Sequence, residues 1–333
     1  MNQLTANKEI KQYKSLVESC GLIQLNNMGI LRAKGDDVFD LIDRLSTNDV
    51  SKLENNSWID TVLTTNKGRI VAQIRLLKSP KQTLVLSDRN ILSTIIEWID
   101  FYTFSEDVEF ENISESTSLF SLIGPSSEGV IKKITNLSNI NANVGSSIST
   151  YIEEKDLILN FDQIGDIPKI DLIVDEHFGQ ELISLINKQN INELTLNIYN
   201  IFRIENRLPV HGSELIDKYN PLEANLLDNI SFNKGCYVGQ EVVARLNAYD
   251  KIRMQLVFLY LDKNCDPATD MAIISGSNQV GVLTSFEFSS YADKWVALAY
   301  IKKSQCVPEN EYYVVKEGVK FKCEIGDFGL TPD

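Results

Sequence analysis

Near residue 250 the chain changes texture, and that change limits what it can fold into. Before it, helical and strand-like stretches alternate. After it, residues 254–261, 271–275, 279–285, 295–302, 311–316 and 319–325 are short apolar or alternating runs, punctuated by Gly, Asn and Pro. Such runs predict a small all-β domain, a barrel or a sandwich. The boundary falls near 248–252, which divides the chain into 1–248 and 249–333. A length of 333 residues allows two or three separate cores.

The first part reads as α+β layers. Residues 4–19 carry a loose apolar stripe (Leu4, Ile10, Tyr13, Leu16, Val17) and predict a helix that Gly21 stops. Residues 22–33 alternate as strands joined by a turn at Asn26-Asn27. Asp36 to Leu45 is a second helix, with Val38, Leu41, Ile42 and Leu45 on its buried face. Residues 58–64 and 69–78 form a hairpin around Asn66-Lys67-Gly68. A strand at 84–86 leads into a helix at 89–102, and one at 119–123 into a helix at 126–137. Leu172 to Glu176 leads into a helix at 177–189. These strand-to-helix units echo one another, but the echo is too short to establish a duplication. A helix at 193–206 follows, and then a stretch dense in polar residues and glycine, 207–250, with little periodicity.

Charge narrows the function. Asp and Glu number 46 against 32 Lys and Arg, a net charge of −14. That argues against nonspecific nucleic-acid binding, which needs a cationic face. An acidic surface with a small local basic pocket suits a small anionic ligand. No apolar run approaches the roughly 18 residues of a spanning helix, and the polar start has no secretory pattern. The reading is a cytoplasmic protein. The five cysteines (Cys20, Cys236, Cys265, Cys306, Cys323) form no CxxC, and His177 and His211 lie far from them in sequence. No metal or cluster motif is predicted, and reduced thiols fit best.

Two stretches carry chemistry. On the 193–206 helix, Glu205 shares a stripe with Ile198, Ile201 and Phe202. A carboxylate on an apolar face near a helix C-terminus is opposed by desolvation and by the helix dipole. It needs a partner: an ion pair with Arg203 or Arg207, release by fraying, or a ligand edge with two N–H donors, such as that of a pterin. The second stretch is Lys234-Gly235-Cys236-Tyr237-Val238-Gly239-Gln240-Glu241. Cys236 lies two residues from a lysine and just before a helical turn, Gly239 to Arg245. Both features favour thiolate, while a buried small hydrophobe in a tight loop is the plainer reading. Gly235 and Gly239 leave room for close backbone approach. Leu45 to Val50 reads as a helix-terminating turn, and His211 as a lone surface or satisfied histidine.

The segment KGCYVGQE resembles the motif of the YgfZ family of folate-binding proteins, relatives of the T-protein (aminomethyltransferase) of the glycine cleavage system. Arg203-Ile204-Glu205, Leu208-Pro209, Gly212-Ser213-Glu214 and Pro221-Leu222-Glu223-Ala224 are similar to a segment shared by both groups. Leu45 to Val50 resembles their LSTNDV turn and Thr64 to Ile70 their TxKGRI hairpin. Val280 to Ser285 and Trp295 to Ile301 resemble strands of their C-terminal barrel. The resemblance covers nearly the whole chain. It implies a three-part ring with two α+β subdomains within 1–248, a β-barrel over 249–333 and a central folate channel. It implies tetrahydrofolate, or a one-carbon derivative, as ligand. It also implies a role in assembling or repairing iron–sulfur enzymes, and so an indirect role in tRNA modification. It places Glu205 on the pterin contact and Cys236 on the family's cysteine.

Departures matter as much. In the T-protein an acidic pair follows the hairpin glycine; here Ala72 and Gln73 stand there. That weakens aminomethyl transfer, the alternative function. The expected site is Cys236 as the reactive group, with Glu205 on the pterin and Lys234 and Arg245 on anionic groups of the folate. Tyr237, Gly239, Gln240 and Glu241 shape it, and no metal takes part. Expected partners are folate and iron–sulfur client proteins, with no direct nucleic acid, no membrane, and a monomeric chain.

Overall fold

In a computed structural model, residues 3–137, 140, 143–307 and 310–326 are described. The chain opens with α1 (Gln3–Glu18) and β1 (Gly21–Gln24). Two units of one plan follow. The first is β2 (Met28–Lys34), α2 (Val38–Leu45), β3 (Ser57–Thr64), β4 (Ile70–Lys78), β5 (Thr83–Asp88), α3 (Leu92–Phe101) and β6 (Glu109–Asn112). The second is β7 (Thr117–Ile123), α4 (Ser127–Thr135), β8 (Ser147–Ile152), β9 (Lys155–Ile164), β10 (Ile167–Asp175), α5 (Gly179–Asn187) and β11 (Asn192–Glu193).

The first sheet is ordered β3-β4-β5-β2-β6 and the second β8-β9-β10-β7-β1-β11. Element for element the orders coincide, with β1 inserted between β7 and β11. The register agrees too: Met28 pairs with Asp88 as Thr117 pairs with Asp175. The short echo in the sequence therefore extends to seven elements. Gly35 and Gly124 end the first strand of each unit at φ 111° and 134°. A Cβ would stand 1.9 Å from the Asp107 carbonyl oxygen at one and 2.5 Å from that of Leu16 at the other. Only glycine fits either turn.

Amphipathic helices cover the outer faces. Val38, Leu41, Ile42 and Leu45 of α2, with Ile95 and Ile99 of α3, pack on Leu31, Ala72, Leu76 and Val85 of the first sheet. Val130, Ile131, Leu182 and Ile186 of α4 and α5 pack on Phe120, Leu122, Leu159 and Leu172 of the second. Each such side chain contributes about 1.5–3 kcal/mol of transfer energy. The inner faces meet in a third cluster, joined by α6 (Leu196–Glu205). The 22–33 segment differs from its expected form. Its two strands exist but do not pair: β1 bonds to β7 and β11, and β2 to β5 and β6. The Asn26-Asn27 turn thus crosses from one sheet to the other.

After a largely non-repetitive stretch and α7 (Gln240–Ala248) come β12 (Met254–Leu261), β13 (Ala272–Ser275), β14 (Asn278–Ser289), β15 (Lys294–Lys302), β16 (Tyr312–Lys316) and β17 (Val319–Ile325). They form a closed barrel, β12-β15-β14-β13-β16-β17. Pairing of Leu259 with Ile325 and Leu261 with Cys323 closes it, which leaves no free edge. Val257, Leu259, Ala297, Ala299 and Ile301 share one cluster. Their neighbours Leu256, Phe258, Val296, Leu298 and Tyr300 pack against the central core instead. Strand alternation thus serves two cores at once.

Candidate functional site

A cavity of about 700 Å³ lies between the two sheets and is flanked by α6. Leu25, Met28, Leu86, Leu119 and Leu208 give it apolar wall. From α6 come Leu196, Tyr199, Asn200 and Arg203, the spacing of one helix face. From β4 come Gln73 and Arg75, while Ala72 turns into the helix-side core.

Part of the wall is an ionic cluster that ties the sheets together. Arg75 Nε and Nη2 reach Asp60 at 2.7 and 2.8 Å. Nη2 also meets Asp162 at 2.9 Å, and Nη1 meets Asp171 at 3.3 Å. Lys169 lies 2.7 Å from Asp171 and 3.5 Å from Asp162, and Ser121 donates to Asp171. The guanidinium rests on Trp58, 3.6 Å from the ring centroid. Burial opposes the charge on Arg75, but Asp60, Asp162 and Asp171 outweigh it and hold its pKa well above the ordinary range. Burial likewise works against the Asp162 carboxylate, and Arg75 and Lys169 overcome it, so its pKa is lowered.

Three other groups in the wall keep polar atoms free. Among the described residues, the Gln73 carboxamide and the Tyr199 hydroxyl accept and donate no hydrogen bond. Asp88 Oδ2 accepts from the His211 backbone N–H at 2.9 Å, and Oδ1 has no partner. Burial raises the Asp88 pKa, against His211 and Arg203. His211 also lines the cavity, with Nε2 3.2 Å from the Val71 carbonyl oxygen. A flat ring with polar edges could lie against these walls and bond to these groups.

The residues singled out in the sequence lie elsewhere. Glu205 does share a buried face with Ile198, Ile201 and Phe202. That face turns toward α1 and the barrel, about 200° around the helix from Arg203. Glu205 is 1% exposed; Oε2 accepts from the Tyr13 hydroxyl, and Oε1 has no partner. Burial pushes its pKa up to about 7, although the Tyr13 bond lowers it. It pairs with neither arginine. Arg203 instead bonds to Asn200 at 3.0 Å and Ser285 at 3.1 Å and lies 3.8 Å from Glu214, while Arg207 donates to the Gly326 carbonyl at 3.0 Å.

The Lys234 side chain is buried and held by its own chain. Its ammonium, with the side chain 1% exposed, donates to the carbonyls of Asp43, Ser46 and Asn48 at 2.6, 3.0 and 2.6 Å. It also pairs with the Asp43 carboxylate at 2.9 Å. It satisfies carbonyls at the C-terminus of α2 and complements the helix dipole there, and it is absent from the lining of the central cavity. Around it three motifs merge. Thr64 donates to the Val238 carbonyl at 2.6 Å, Val238 N–H to the Arg44 carbonyl at 3.1 Å, and Thr47 to the Asn229 carbonyl at 2.6 Å. Gly239 starts α7 at φ 86°, where a Cβ would stand 2.4 Å from the Thr65 carbonyl oxygen. Tyr237 is buried, which raises its pKa to about 12. Gln240 donates to the Gly235 carbonyl at 3.3 Å. Glu241 and Arg245 are exposed on α7, and Cys236 is exposed before it. None of these lines the central cavity.

Sequence reasoning missed Arg75, Asp88 and Tyr199 as cavity residues. The signal for Tyr199 was present: Leu196, Tyr199, Asn200 and Arg203 form the face opposite the apolar stripe. Among the described residues, no group of three or more His, Cys, Asp and Glu side chains is placed to hold a metal ion. No helix there is long and apolar enough to cross a membrane.

Known proteins share this architecture. Residues 3–160 match the GCVT N-terminal domain, and residues 254–328 the glycine cleavage T-protein C-terminal barrel domain. A chloroplastic protein of Arabidopsis thaliana, named a transferase, is 28% identical over 85% of this chain and 65% of its own length. The chain thus spans about 65% of that relative. An aminomethyltransferase of Thermotoga petrophila is 27% identical over 86% of this chain and 79% of its own. The aminomethyltransferase T of the Bartonella henselae glycine cleavage system superposes with a TM-score of 0.82 at 15% identity, covering 96% of this chain and 88% of that one. These matches define a protein of T-protein fold. The chain carries both T-protein domains and is related to the aminomethyltransferases.

Proposed function

We propose that the central cavity binds tetrahydrofolate or a one-carbon derivative, and that the protein serves the assembly or repair of iron–sulfur enzymes. Any effect on tRNA modification is then indirect, through such an enzyme. One observation carries the proposal: the wall between the sheets presents Gln73, a neutral amide, where the resemblance to transferases leads one to expect an acid. An amide binds a ring edge through both a donor and an acceptor but holds no proton for transfer. The cavity fits the ligand in kind. Its volume of about 700 Å³ falls in the range of small-molecule sites, its walls are largely apolar, and three polar groups converge on it. The exposed Cys236 supports a separate role at the surface.

Anaerobic calorimetric titration of tetrahydrofolate tests the first half. Saturable binding is expected, and its absence removes the folate reading. Cluster content of iron–sulfur enzymes in cells lacking the protein tests the second half, and unchanged content removes it. The curated relatives named aminomethyltransferase favour a second reading, a transferase. Methylene-tetrahydrofolate formed from an aminomethylated carrier protein and tetrahydrofolate would establish that one instead.

A further inference from the structure

We infer that Asp88 is the carboxylate that anchors the ligand of the central cavity, by accepting hydrogen bonds from ring N–H donors. The inference rests on the folate reading for the identity of that ligand. Three carboxylates line the cavity: Asp60, Asp88 and Asp171. Both oxygens of Asp60 hold Arg75. Asp171 is shared among Arg75, Lys169 and Ser121. Only Asp88 keeps an oxygen without a partner among the described residues, and its other oxygen is fixed by the His211 N–H at 2.9 Å. The carboxylate is therefore oriented and half available.

The matching plan of the two units supplies an independent argument. Asp88 and Asp175 hold the same place in the two units, each paired with the first residue of its neighbouring strand. Asp175 does the ordinary work of that position: its Oδ1 accepts from the His177 N–H at 2.9 Å and caps the helical turn that follows. Asp88 precedes the equivalent turn and caps nothing. In the first unit the corresponding aspartate caps no turn and lines the cavity. It also adjoins Gln73. Ser87 donates to the Gln73 carbonyl at 2.7 Å, and the Arg75–Leu86 register continued by two residues sets Gln73 across from Asp88. The cavity thus presents an amide on β4 and a carboxylate on β5, side by side.

Ring N–H donors favour the ionised carboxylate, so ligand binding expels any proton on Asp88. The charged and titratable groups around it are His211, Arg203, Glu214 and Tyr199. The test is calorimetric titration of 5-formyltetrahydrofolate, an air-stable reduced folate, into the full chain and into Asp88→Asn and Asp175→Asn. Asparagine keeps an oxygen for the His211 N–H, and far-UV circular dichroism checks that each variant is folded. Asp88→Asn is expected to bind about ten- to a hundredfold more weakly, the loss of hydrogen bonds to a charged group. Asp175→Asn is expected to bind like the wild type. In mildly acidic buffers of different ionisation enthalpy, the wild type should release more protons on binding than Asp88→Asn does. Affinity of Asp88→Asn within about twofold of the wild type overturns the inference alone. No binding by the wild type overturns the folate reading, and with it the occupant named here.

Discussion

The central cavity and the loop around Cys236 make opposite use of their polar residues. The loop is dense in recognisable sequence, yet its groups are bound to one another: Lys234 to three carbonyls, Thr64 to Val238, Thr47 to Asn229. The cavity draws on residues of ordinary spacing in strands and a helix, yet among the described residues Gln73, Asp88 and Tyr199 keep polar atoms free toward the cavity. A motif can mark backbone that must be held in one shape. Readiness to bind shows only when separate elements converge.

The sharpest way to break this contrast is to remove a charge from each region. In Arg75→Leu, Asp60, Asp162 and Asp171 would face one another without their shared cation. Loss of one partner from a buried ionic network costs about 3–5 kcal/mol. Urea denaturation should show that loss, and part of it should return in Arg75→Leu combined with Asp162→Asn. Lys234→Met should cost about 3 kcal/mol, because several buried acceptors lose their donor together. Folate affinity of the folded Lys234→Met variant should stay at the wild-type value. A weakened affinity at unchanged stability would restore Lys234 as an anion-binding residue and erase the contrast.

How much of this was legible in the sequence follows from the range of the forces involved. The barrel strands and the β3–β4 hairpin were legible because alternation and turn residues act within a few positions. The face of α2 was legible for the same reason. Strands β8 and β9 were not: Leu157-Ile158-Leu159 lies in a strand with both faces covered and gives no alternation. Arg75, in an alternating strand, reads as a solvent-facing charge until the second sheet brings Asp162 and Asp171 to it. For Glu205 the helical wheel identified the buried face, and the protein partner met there is Tyr13 rather than Arg203 or Arg207. Periodicity tells which residues share a face, and the tertiary fold decides what that face meets.

Glu205 gives a smaller, pH-dependent test. Its folded pKa of about 7 lies above the ordinary carboxyl value, so the folded state binds the proton more tightly than the unfolded chain. The stability from that proton is complete below about pH 4 and is lost as pH rises through about 7. Thermal or urea unfolding should therefore show Glu205→Gln gaining roughly 2–3 kcal/mol on the wild type between pH 4 and pH 8. Folate affinity should not change. A parallel loss of affinity would move the ligand from the cavity face of α6 to the opposite one.

Cys236 should show the smallest effect on the fold and the clearest separation of the two regions. It is exposed, whereas Cys20, Cys265 and Cys323 are buried and Cys306 half-buried. Burial raises the pKa of Cys20 to about 11 and of Cys323 to about 12, which suppresses the thiolate that reacts. A disulfide reagent such as dithiobis-nitrobenzoate should therefore label the native protein in one fast phase and then slowly, and Cys236→Ser should abolish the fast phase. That variant should keep its stability within about 0.5 kcal/mol, as surface changes do, and bind tetrahydrofolate unchanged. Since Cys236 lies outside the cavity wall, labelling it should also leave binding intact. If labelling instead blocks tetrahydrofolate, loop and cavity act as one site, and the thiol must reach the ligand through a movement of the loop on its Lys234 anchor.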